Sequence, residues 1–449
     1  MNFLKSYTNF FKKYFPSPFS VAILLTFLTF ILALVFTENT DKTQMYIPQL
    51  GEFWFKGMFK SSLLAFTVHM MLILVLGHVL ALSSFAQKII SITLKHCTNT
   101  SNSVFIITFL TIIVSLFNWG LGLIFGAIFT RKIGEHFQSQ NKKLNYALVG
   151  ASSYVGLMVW HGGLSGSATL TIAGTNHSLV EKMGSIPISE TIFSTMNMVT
   201  TIALLVIIPL VMALIAKKSS NDTIPILSSS KQVVVEQNKG HYTQAEKFEK
   251  NNFIGIFIGL IILLFVVFMK VSGSFTSLNL QTTNLILLGM AFTFHGNIQS
   301  FLKAIEEAIG DVSGILIQFP LYFGIMGVMQ ASGLASLIAQ SMTNTANEFT
   351  LPIYTFLSAG VVNLFVPSGG GQWQIQGPII VETAKATGVA LPKMVMALAY
   401  GDQLTNMLQP FWALPLLGIT GLKAKDILPY TLIMFLLGFS IFLLALTIF

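Results

Sequence analysis

Residues 363–378 read Asn-Leu-Phe-Val-Pro-Ser-Gly-Gly-Gly-Gln-Trp-Gln-Ile-Gln-Gly-Pro and lie inside a long apolar segment. Lipid offers the backbone no hydrogen-bond partners, so a segment at membrane depth should form an unbroken helix. Pro367, the three glycines and Pro378 disfavour such a helix, because each interior proline costs roughly 3 kcal/mol and each glycine about 1. Broken backbone at that depth needs protein or a water-filled cavity around it. The stretch is therefore a candidate substrate site, and a kink used only for packing is the alternative.

The composition indicates a polytopic membrane protein. Of the 449 residues, 53% are hydrophobic and 9% are charged, whereas soluble domains carry about 25% charged residues. The net charge of +8 comes from basic residues scattered among loops beside apolar runs. That distribution is typical of cytoplasmic loops, so no nucleic-acid partner is expected. A single cysteine, Cys97, excludes an internal disulfide.

Apolar runs of about 20 residues, the length that spans a bilayer, predict the spanning helices. Seven runs are uninterrupted, at 19–37, 63–82, 192–216, 252–269, 282–300, 312–340 and 429–449. Four more segments are interrupted by glycine, proline or polar residues, at 104–129, 146–174, 351–380 and 394–420. If two of these four cross the membrane and two are hairpins, the chain has about nine spanning helices.

The four interrupted segments form two copies of one arrangement. Asn118 and Asn363 each follow an apolar run and open a glycine-rich break, 245 positions apart. The next breaks, at 154–156 and 400–402, are separated by nearly the same offset. Paired glycine- or proline-interrupted segments in two repeats are the best sequence pointer to the site of a secondary transporter.

Basic loops determine the predicted topology. Loops 130–145 and 217–251 are rich in lysine and arginine, so both should be cytoplasmic. Both stay inside only if 104–129 is a re-entrant hairpin that turns near Asn118. Counting the later membrane crossings in the same way makes 351–380 a second hairpin, entered from outside. The prediction is an all-α membrane protein with an inverted-topology repeat. Its first half is 1–216, its cytoplasmic linker 217–251 and its second half 252–449.

Two ionisable residues within the breaks are candidate coupling groups, because ionisable groups inside a membrane are functional hypotheses by default. Asp402 is the one acid placed well within an interrupted segment, and it could bind a proton or take part in a sodium site. Its alternative role is an N-cap for the second half of a broken helix. His161 could donate to an anionic substrate or relay a proton, and a neutral core histidine is the alternative.

The sequence argues against an enzyme. It has no His/Glu/Cys spacing suited to a catalytic metal and no nucleotide-binding fingerprint. Ser368 lacks the G-x-S-x-G elbow. The breaks instead expose helix N-termini, which attract carboxylates, and unwound carbonyls, which suit a small cation. Without an arginine inside either hairpin, the site favours a small monoanion with a short apolar tail.

The quoted stretch closely resembles the signature of the bacterial short-chain fatty acid transporter family, the acetoacetate and butyrate uptake carriers. Ala399–Gln403, Asn406-Met407 and Gln409–Pro415 resemble it too, as do Asn118–Gly122 and Gly162–Ser167 in the first half. The resemblance runs from Pro16 to the C-terminal helix. Two departures are visible. At the position of Asp402 the family often has Glu. Where other members have Trp-Gly-Gly-Gly, this chain has Trp160-His161-Gly162-Gly163, so the resemblance implies no role for His161.

The resemblance implies a multi-pass carrier of the bacterial inner membrane that takes up small monocarboxylates such as butyrate or acetoacetate. It also implies a wider ion-transporter superfamily with two re-entrant hairpins and, as an expectation, a homodimer. Substrate and surrounding membrane lipid are the expected partners, and the expected cofactor is none beyond a coupling proton or sodium ion.

The predicted function is secondary symport of a short-chain fatty acid with a proton or sodium ion. The alternative is an uncoupled carboxylate uniporter or anion channel. The predicted substrate-binding residues are Asn118, Gly120, Gly122, Gly163, Ser165, Ser167, Asn363, Ser368, Gly369, Gly370, Gly371, Gln372 and Gln409. The predicted ion-coupling residues are Asp402, Asn406 and His161, and the alternative sodium site lies near Asn118, Asn363 and Asn406.

Overall fold

The computed structural model describes residues 2–39, 45–175, 177–218, 223, 243–273, 280–343 and 346–449. Within these ranges the chain is almost entirely helical, and its one β-type contact is an isolated bridge between Leu144 and Thr223. The predicted all-α architecture is confirmed. The predicted linker 217–251 lies largely outside the described residues.

The described residues of the first half contain eleven α-helices and two short 3₁₀ turns. The helices are α1 (Asn2–Tyr14), α2 (Pro18–Phe36), α3 (Tyr46–Met58), α4 (Ser61–Leu82), α5 (Ser84–Leu94), α6 (Thr100–Phe117), α7 (Trp119–Ser139), α8 (Tyr146–Ser153), α9 (Ser167–Ala173), α10 (Val180–Met183) and α11 (Thr195–Lys218). The 3₁₀ turns, Tyr154–Met158 and Trp160–Gly162, separate α8 from α9.

The remainder of the described chain contains eleven further α-helices. They are α12 (Gln244–Glu249), α13 (Asn252–Val271), α14 (Leu280–His295), α15 (Ile298–Ala308), α16 (Ser313–Ala331), α17 (Leu334–Thr343), α18 (Thr350–Phe365), α19 (Gly369–Thr387), α20 (Leu391–Thr405), α21 (Pro410–Thr420) and α22 (Ala424–Ile448). Two 3₁₀ turns, Ile309–Val312 and Asn406–Leu408, precede α16 and α21.

Seven of the described helices are long and apolar enough to cross a membrane, namely α2, α4, α6, α11, α13, α16 and α22. Six of them correspond to predicted uninterrupted spans, and α6 is the first arm of a predicted hairpin. The predicted spans 282–300 and 312–340 end early, at His295 and Ala331. Gly296 and Gly333 follow with φ of 78° and 80°, and a left-handed glycine ends a helix.

The first predicted hairpin is present. A Cβ on Gly122 would lie 1.8 Å from Ser115 Oγ, and one on Gly126 would lie 3.2 Å from Thr111 Oγ1. Residues further along α7 therefore contact residues earlier in α6, so the two helices are antiparallel. The turn is at Asn118, which ends α6 and caps α7. The arms reach Thr100 and Ser139, beyond the predicted limits of 104–129.

The second hairpin, formed by α18 and α19, is also antiparallel. Gln372 Nε2 donates to the Ala359 carbonyl at 2.8 Å, and Gln376 Nε2 donates to Ser358 Oγ at 3.3 Å. Its break is shorter than the sequence predicts, because only 366–368 are non-helical. Gly369–Gly371 form the first turn of α19, where N–H groups need no intrahelical partner. Pro378 lies inside α19, so the expectation that it interrupts the helix is wrong.

Each hairpin is followed by a crossing interrupted near its middle. In the first half α8 leads through the two 3₁₀ turns to α9, and in the second half α20 leads through Asn406–Leu408 to α21. The same order of elements therefore occurs twice.

Two glycines of α13, Gly255 and Gly259, pack within the chain. A Cβ on Gly259 would lie 2.6 Å from the Gly289 carbonyl oxygen of α14.

The two hairpins enter from opposite faces of the molecule. The open end of the first lies beside the start of α8 and the end of α21: Asn145 N–H donates to Thr100 Oγ1 at 3.2 Å, and Arg131 Nη1 donates to the Ile419 carbonyl at 2.8 Å. The open end of the second lies beyond α9, where Lys385 Nζ donates to the Lys182 carbonyl. Because the crossing α8–α9 connects the two ends, they face opposite sides. We call the side of 131–145 the basic side.

Thiol labelling tests which face is cytoplasmic. In a Cys97→Ser background, cysteine replacing exposed Lys142 should react with a membrane-impermeant maleimide only after the cell is opened, because the basic side should be retained inside. Cysteine replacing exposed Glu181 should react in intact cells. Reaction of both positions from one side would contradict the inverted arrangement.

Candidate functional site

The tips of both hairpins line one cavity of about 520 Å³. The first tip contributes Asn118 and Trp119, and the second contributes Pro367, Ser368, Gly369 and Gly370. The break between α8 and α9 supplies Ser165, Gly166 and Ser167. The wall also includes Ser62, Leu280 and Met326, which lie at the start of α4, the start of α14 and the late part of α16. Since those segments lie away from the basic side, the cavity lies towards the opposite face.

Two helix N-termini point at this cavity. Asn118 caps α7, where its Oδ1 accepts from Leu121 N–H at 3.0 Å, and Ser368 caps α19, where its Oγ accepts from Gly371 N–H at 3.3 Å. The first-turn N–H groups of a helix have no intrahelical partner, so those of Gly369 and Gly370 remain for a ligand. Helix N-termini also carry partial positive charge. The arrangement suits an anion. Among the described residues that line the cavity there is no Lys, Arg, Asp or Glu.

Aromatic rings form the apolar wall of the cavity. The ring centroids of Trp119 and Trp412 are 5.1 Å apart, and Phe66 lies 6.1 Å from Trp412. Trp160 lies 6.0 Å from Trp119 and stacks on His161. Sequence reasoning did not assign these rings to the site. Trp119 and Trp160 flank predicted site residues, which was the available signal, but their convergence with Phe66 depends on the fold.

A buried histidine–aspartate pair joins the break after α8 to the last turn of α20, directly behind the cavity. The predicted break at 400–402 is wrong, because these residues are helical and the interruption is at Asn406–Leu408. His161 Nδ1 lies 2.7 Å from Asp402 Oδ2, and the two side chains are 0% and 2% exposed. Gln403 Oε1 accepts from the N–H groups of His161 and Gly162, at 2.9 and 3.2 Å. The second tip packs on the pair, because a Cβ on Gly369 would lie 2.5 Å from His161 Cε1.

The hydrogen bonds of His161 define its tautomer. Its Nε2 lies 3.0 Å from the N–H of Ala168, which is a donor, so Nε2 accepts. Nδ1 must then carry the proton and donate to Asp402. In this geometry the imidazole is neutral, since a proton on Nε2 would point at the amide hydrogen of Ala168. His161 thus positions the carboxylate of Asp402, which matches the alternative of a neutral, hydrogen-bonded histidine.

A second buried cluster surrounds Asn363. Its Nδ2 lies 2.8 Å from the Asp402 carbonyl, 2.9 Å from Thr405 Oγ1 and 3.0 Å from Asn406 Oδ1. Gln409 Nε2 donates to the Asn363 carbonyl. Asn363 Oδ1 is buried without a hydrogen-bond partner. Three oxygens thus converge on one point at the end of α20, and a fourth is unsatisfied beside it.

The predicted site residues divide into three groups. Those lining the cavity are Asn118, Ser165, Ser167, Ser368, Gly369 and Gly370. Those in the buried cluster behind it are His161, Asn363, Asp402, Asn406 and Gln409. Those within the hairpins or at their contacts, away from the cavity lining, are Gly120, Gly122, Gly163, Gly371 and Gln372. Gly122 and Gly163 allow the close approach of Ser115 and Leu116.

The structure brings together two of the three asparagines near which a sodium site was predicted. Asn363 and Asn406 are in contact, whereas Asn118 caps α7 at the cavity. Asp402 and Thr405 take part in the cluster instead, and no sequence pattern pointed to Thr405. Within the described ranges, no group of three or more His, Cys, Asp or Glu side chains could hold a metal ion.

A family model described as the short chain fatty acid transporter matches residues 2–449. The chain belongs to this family. Two curated relatives, from Escherichia coli (strain K12) and Haemophilus influenzae (strain ATCC 51907 / DSM 11121 / KW20 / Rd), have names that provisionally assign short-chain fatty acid transport. Each is 35% identical over 448 residues, covering 98% of this chain and 98% and 97% of the relative.

Two solved transporter structures are also similar to this short-chain fatty acid transporter family member. The Alcanivorax borkumensis YdaH transporter has a TM-score of 0.45 and 15% identity, with coverage of 96% of this chain and 97% of its own. Neisseria gonorrhoeae MtrF, described as one of a class of antimetabolite efflux pumps, has a TM-score of 0.43 and 15% identity. The match covers 99% of this chain and 96% of MtrF. Likenesses of this size reveal nothing about substrate or mechanism.

Family membership and the apolar helices together establish a multi-pass protein of the inner membrane. They also establish its general role as transport. The family resemblance predicted from the glycine-rich breaks is therefore confirmed.

Gly369 and Gly370 form a matched pair for testing the second tip of this transporter family member. Gly369→Ala places a methyl group 2.5 Å from His161, whereas Gly370→Ala makes only ordinary contact, 3.7 Å from Ser167 Cβ. Overpacking costs about 1–3 kcal/mol, so Gly369→Ala should lower the initial rate of substrate transport by about fivefold or more if that cost falls on the transporting state. Gly370→Ala should leave it nearly unchanged.

Uptake by equal amounts of membrane-inserted protein measures the difference. Gly370→Leu, whose longer side chain would occupy the cavity, should abolish uptake. Normal uptake by both the Gly369→Ala and Gly370→Leu variants would show that the tip has only a structural role.

Proposed function

We propose that this protein is a secondary active transporter that imports short-chain fatty acids by symport with a proton or a sodium ion. The observation that carries the proposal is a substrate-sized cavity between two hairpin tips, free of charged side chains, with the buried Asp402 directly behind it. The cavity supplies recognition of a small carboxylate, and Asp402 supplies a place for the coupling cation.

The carboxylate would bind at the N-terminus of α19, with the N-terminus of α7 beside it. The N–H groups of Gly369 and Gly370 and the hydroxyls of Ser167 and Ser368 are its donors, since all four residues line the cavity. Ser165 holds the first tip in place, because its Oγ accepts from Trp119 N–H at 3.0 Å. Helix N-termini bind anions without any fixed positive charge. The absence of Lys and Arg from the lining favours one carboxylate over two.

The apolar tail would lie against the aromatic wall formed by Phe66, Trp119, Trp160 and Trp412. Pockets of this kind bind mainly through apolar contact, and a few polar groups orient the ligand. A short acyl chain meets both requirements, as in butyrate or acetoacetate.

The coupling role of Asp402 follows from its surroundings. Among the described residues its side chain contacts His161, which is neutral in the tautomer that its hydrogen bonds imply. An ionised carboxylate buried in this way lacks a compensating charge, and such burial is costly. A substrate carboxylate in the adjoining cavity would add a second negative charge. A proton on Asp402 or a sodium ion beside it removes this conflict, so cation and substrate favour each other's binding.

The structure supports a distinct place for each ion. A proton would reside on the carboxylate of Asp402. A sodium ion would use oxygens of the Asn363 cluster, where the Asp402 carbonyl, Thr405 Oγ1 and Asn406 Oδ1 surround Asn363 Nδ2 and would become available if that amide group rotated away. Unwound carbonyls at a helix break are typical cation ligands in transporters.

Uptake into proteoliposomes tests the proposal. Labelled butyrate or acetoacetate should accumulate above equilibrium under an imposed proton gradient or an imposed sodium gradient, and the gradient that succeeds identifies the ion. Asp402→Asn keeps an oxygen that can accept from His161 but cannot take up a proton or bear a charge. This variant should therefore lose accumulation.

Asp426→Asn is the matched control, since Asp426 lies in the first turn of α22 at the basic side, away from the cavity. Equilibration without accumulation in the unmodified protein, together with unchanged flux in Asp402→Asn, would instead establish an uncoupled uniporter or anion channel. No flux of either substrate would refute the transport proposal.

Competition between substrates tests recognition of a single carboxylate. Unlabelled butyrate should inhibit the uptake of labelled butyrate strongly, whereas succinate, of similar length with a second carboxylate, should inhibit it weakly. The reason is that the aromatic wall offers the second carboxylate no positive charge and desolvation of a charge is costly. Equal inhibition by the two compounds would contradict this description of the cavity.

A further inference from the structure

A second cavity, of about 320 Å³, lies between α4, α5, α7 and α14. Its lining is entirely apolar, with residues that include Leu80, Phe85, Ile90, Phe125, Met290 and Phe294. It shares no lining residue with the substrate cavity. A carboxylate placed here would find no side-chain donor, so this cavity does not suit the transported substrate.

The second cavity lies in the half of the molecule nearer the basic side. Helix α7 runs from the first tip to Arg131 on that side, and α4 runs parallel to it, with a Cβ on Gly77 only 2.4 Å from Ile124 Cγ2. His295 Nε2 lies 2.7 Å from the Val79 carbonyl, which places the end of α14 beside the end of α4. The cavity therefore lies at the depth of the acyl chains in the leaflet next to the basic side.

Specific contacts fix the positions of the walls of the second cavity. Gln87 Nε2 donates to the Ala81 carbonyl at 2.6 Å, which fixes α5 to the end of α4. The rings of Phe85 and Phe294 stack with centroids 4.3 Å apart. A water molecule needs two to four polar partners, and this lining provides none from its side chains. At this depth the surrounding medium is hydrocarbon, so a hydrocarbon chain is the occupant that the cavity fits.

The charge of α5 indicates the headgroup. Lys88 and Lys95 are exposed and lie seven residues apart on one face of α5, opposite to the face that carries the cavity-lining Ala86 and Ile90, and His96 follows the helix. Residues 84–98 contain no Asp or Glu. Basic residues beside the membrane attract anionic lipids. We infer that this cavity binds one acyl chain of an anionic phospholipid, whose headgroup lies against α5.

The bound chain would contact the rear of the first hairpin. Leu121, Ile124 and Phe125 of α7 line this cavity, and the first turn of the same helix carries Asn118 and Trp119 of the substrate cavity. Filling the space with hydrocarbon restores dispersion contacts that an empty void would lose. The lipid therefore braces α7 against α4 and α14 and stabilises the folded transporter.

Native mass spectrometry of the full-length protein tests this site. Protein stripped of lipid in detergent is mixed with phosphatidylglycerol or with phosphatidylcholine of the same acyl chains. The unmodified protein should retain a single phosphatidylglycerol at collision energies that remove phosphatidylcholine. Ala86→Trp, which fills the cavity from half-buried Ala86, should lose this adduct. Ile92→Trp, on the same helix with a 61% exposed side chain, is the control and should retain it.

The headgroup contact has its own pair of variants. Lys88→Gln should remove the preference for phosphatidylglycerol, whereas Lys60→Gln, at the other end of α4 and also exposed, should preserve it. An equal preference in both variants would overturn the assignment of the headgroup to α5. Retention of the lipid by Ala86→Trp at the level of Ile92→Trp would overturn the cavity as its site.

A measurement on the unmodified protein guards against misfolded variants. Cryo-electron microscopy in nanodiscs made with phosphatidylglycerol that carries bromine on its acyl chains should show bromine density between Phe125 and Phe294. A cavity without that density in a map that resolves its walls would refute the inference.

Discussion

The hydrogen bond between His161 and Asp402 is the contact on which the centre of this protein depends. It joins the interrupted crossing of the first half to that of the second, with both side chains almost fully buried. Interrupted backbone at membrane depth must find partners within the protein, because lipid supplies none. Here each break finds them in the other half. Gln403 accepts from the amides of His161 and Gly162, and Asn406 Nδ2 donates to the Leu157 carbonyl at 3.2 Å.

Each interrupted crossing also carries a glycine where it meets the hairpin of its own half. A Cβ on Gly156 would lie 2.0 Å from Ser115 Oγ, and one on Gly401 would lie 2.1 Å from the Phe356 carbonyl oxygen. Each hairpin can therefore approach the crossing of its own half closely enough to exclude lipid. Without that approach the unwound segments would face hydrocarbon with unpaired polar groups, at a cost of several kcal/mol each.

Sequence reasoning identified the breaks because helix-breaking residues in an apolar run conflict with the membrane environment. The basic loops then predicted the opposed hairpins, and Asn118 and Ser368 lie at their tips. The helical state of Gly369–Gly371 was missed, because three glycines have low helix propensity, yet the capping bond of Ser368 and packing against His161 hold them in a helix. The aromatic wall was also missed, since Phe66 and Trp412 are 346 positions apart and only tertiary structure brings them together.

The arrangement of the two polar layers has a mechanistic consequence. In the proposed transport reaction the cavity would bind an anion through backbone amides at the second tip, while the carboxyl group of Asp402 lies one layer deeper and contacts that tip through His161. A change of charge at Asp402 therefore alters the hydrogen bond to His161, and His161 packs directly on Gly369. Because Ala168 N–H holds the other ring nitrogen, the imidazole cannot turn freely to absorb that change. In the proposed mechanism the position of the second tip would respond, and this contact would couple the state of Asp402 to the shape of the anion site.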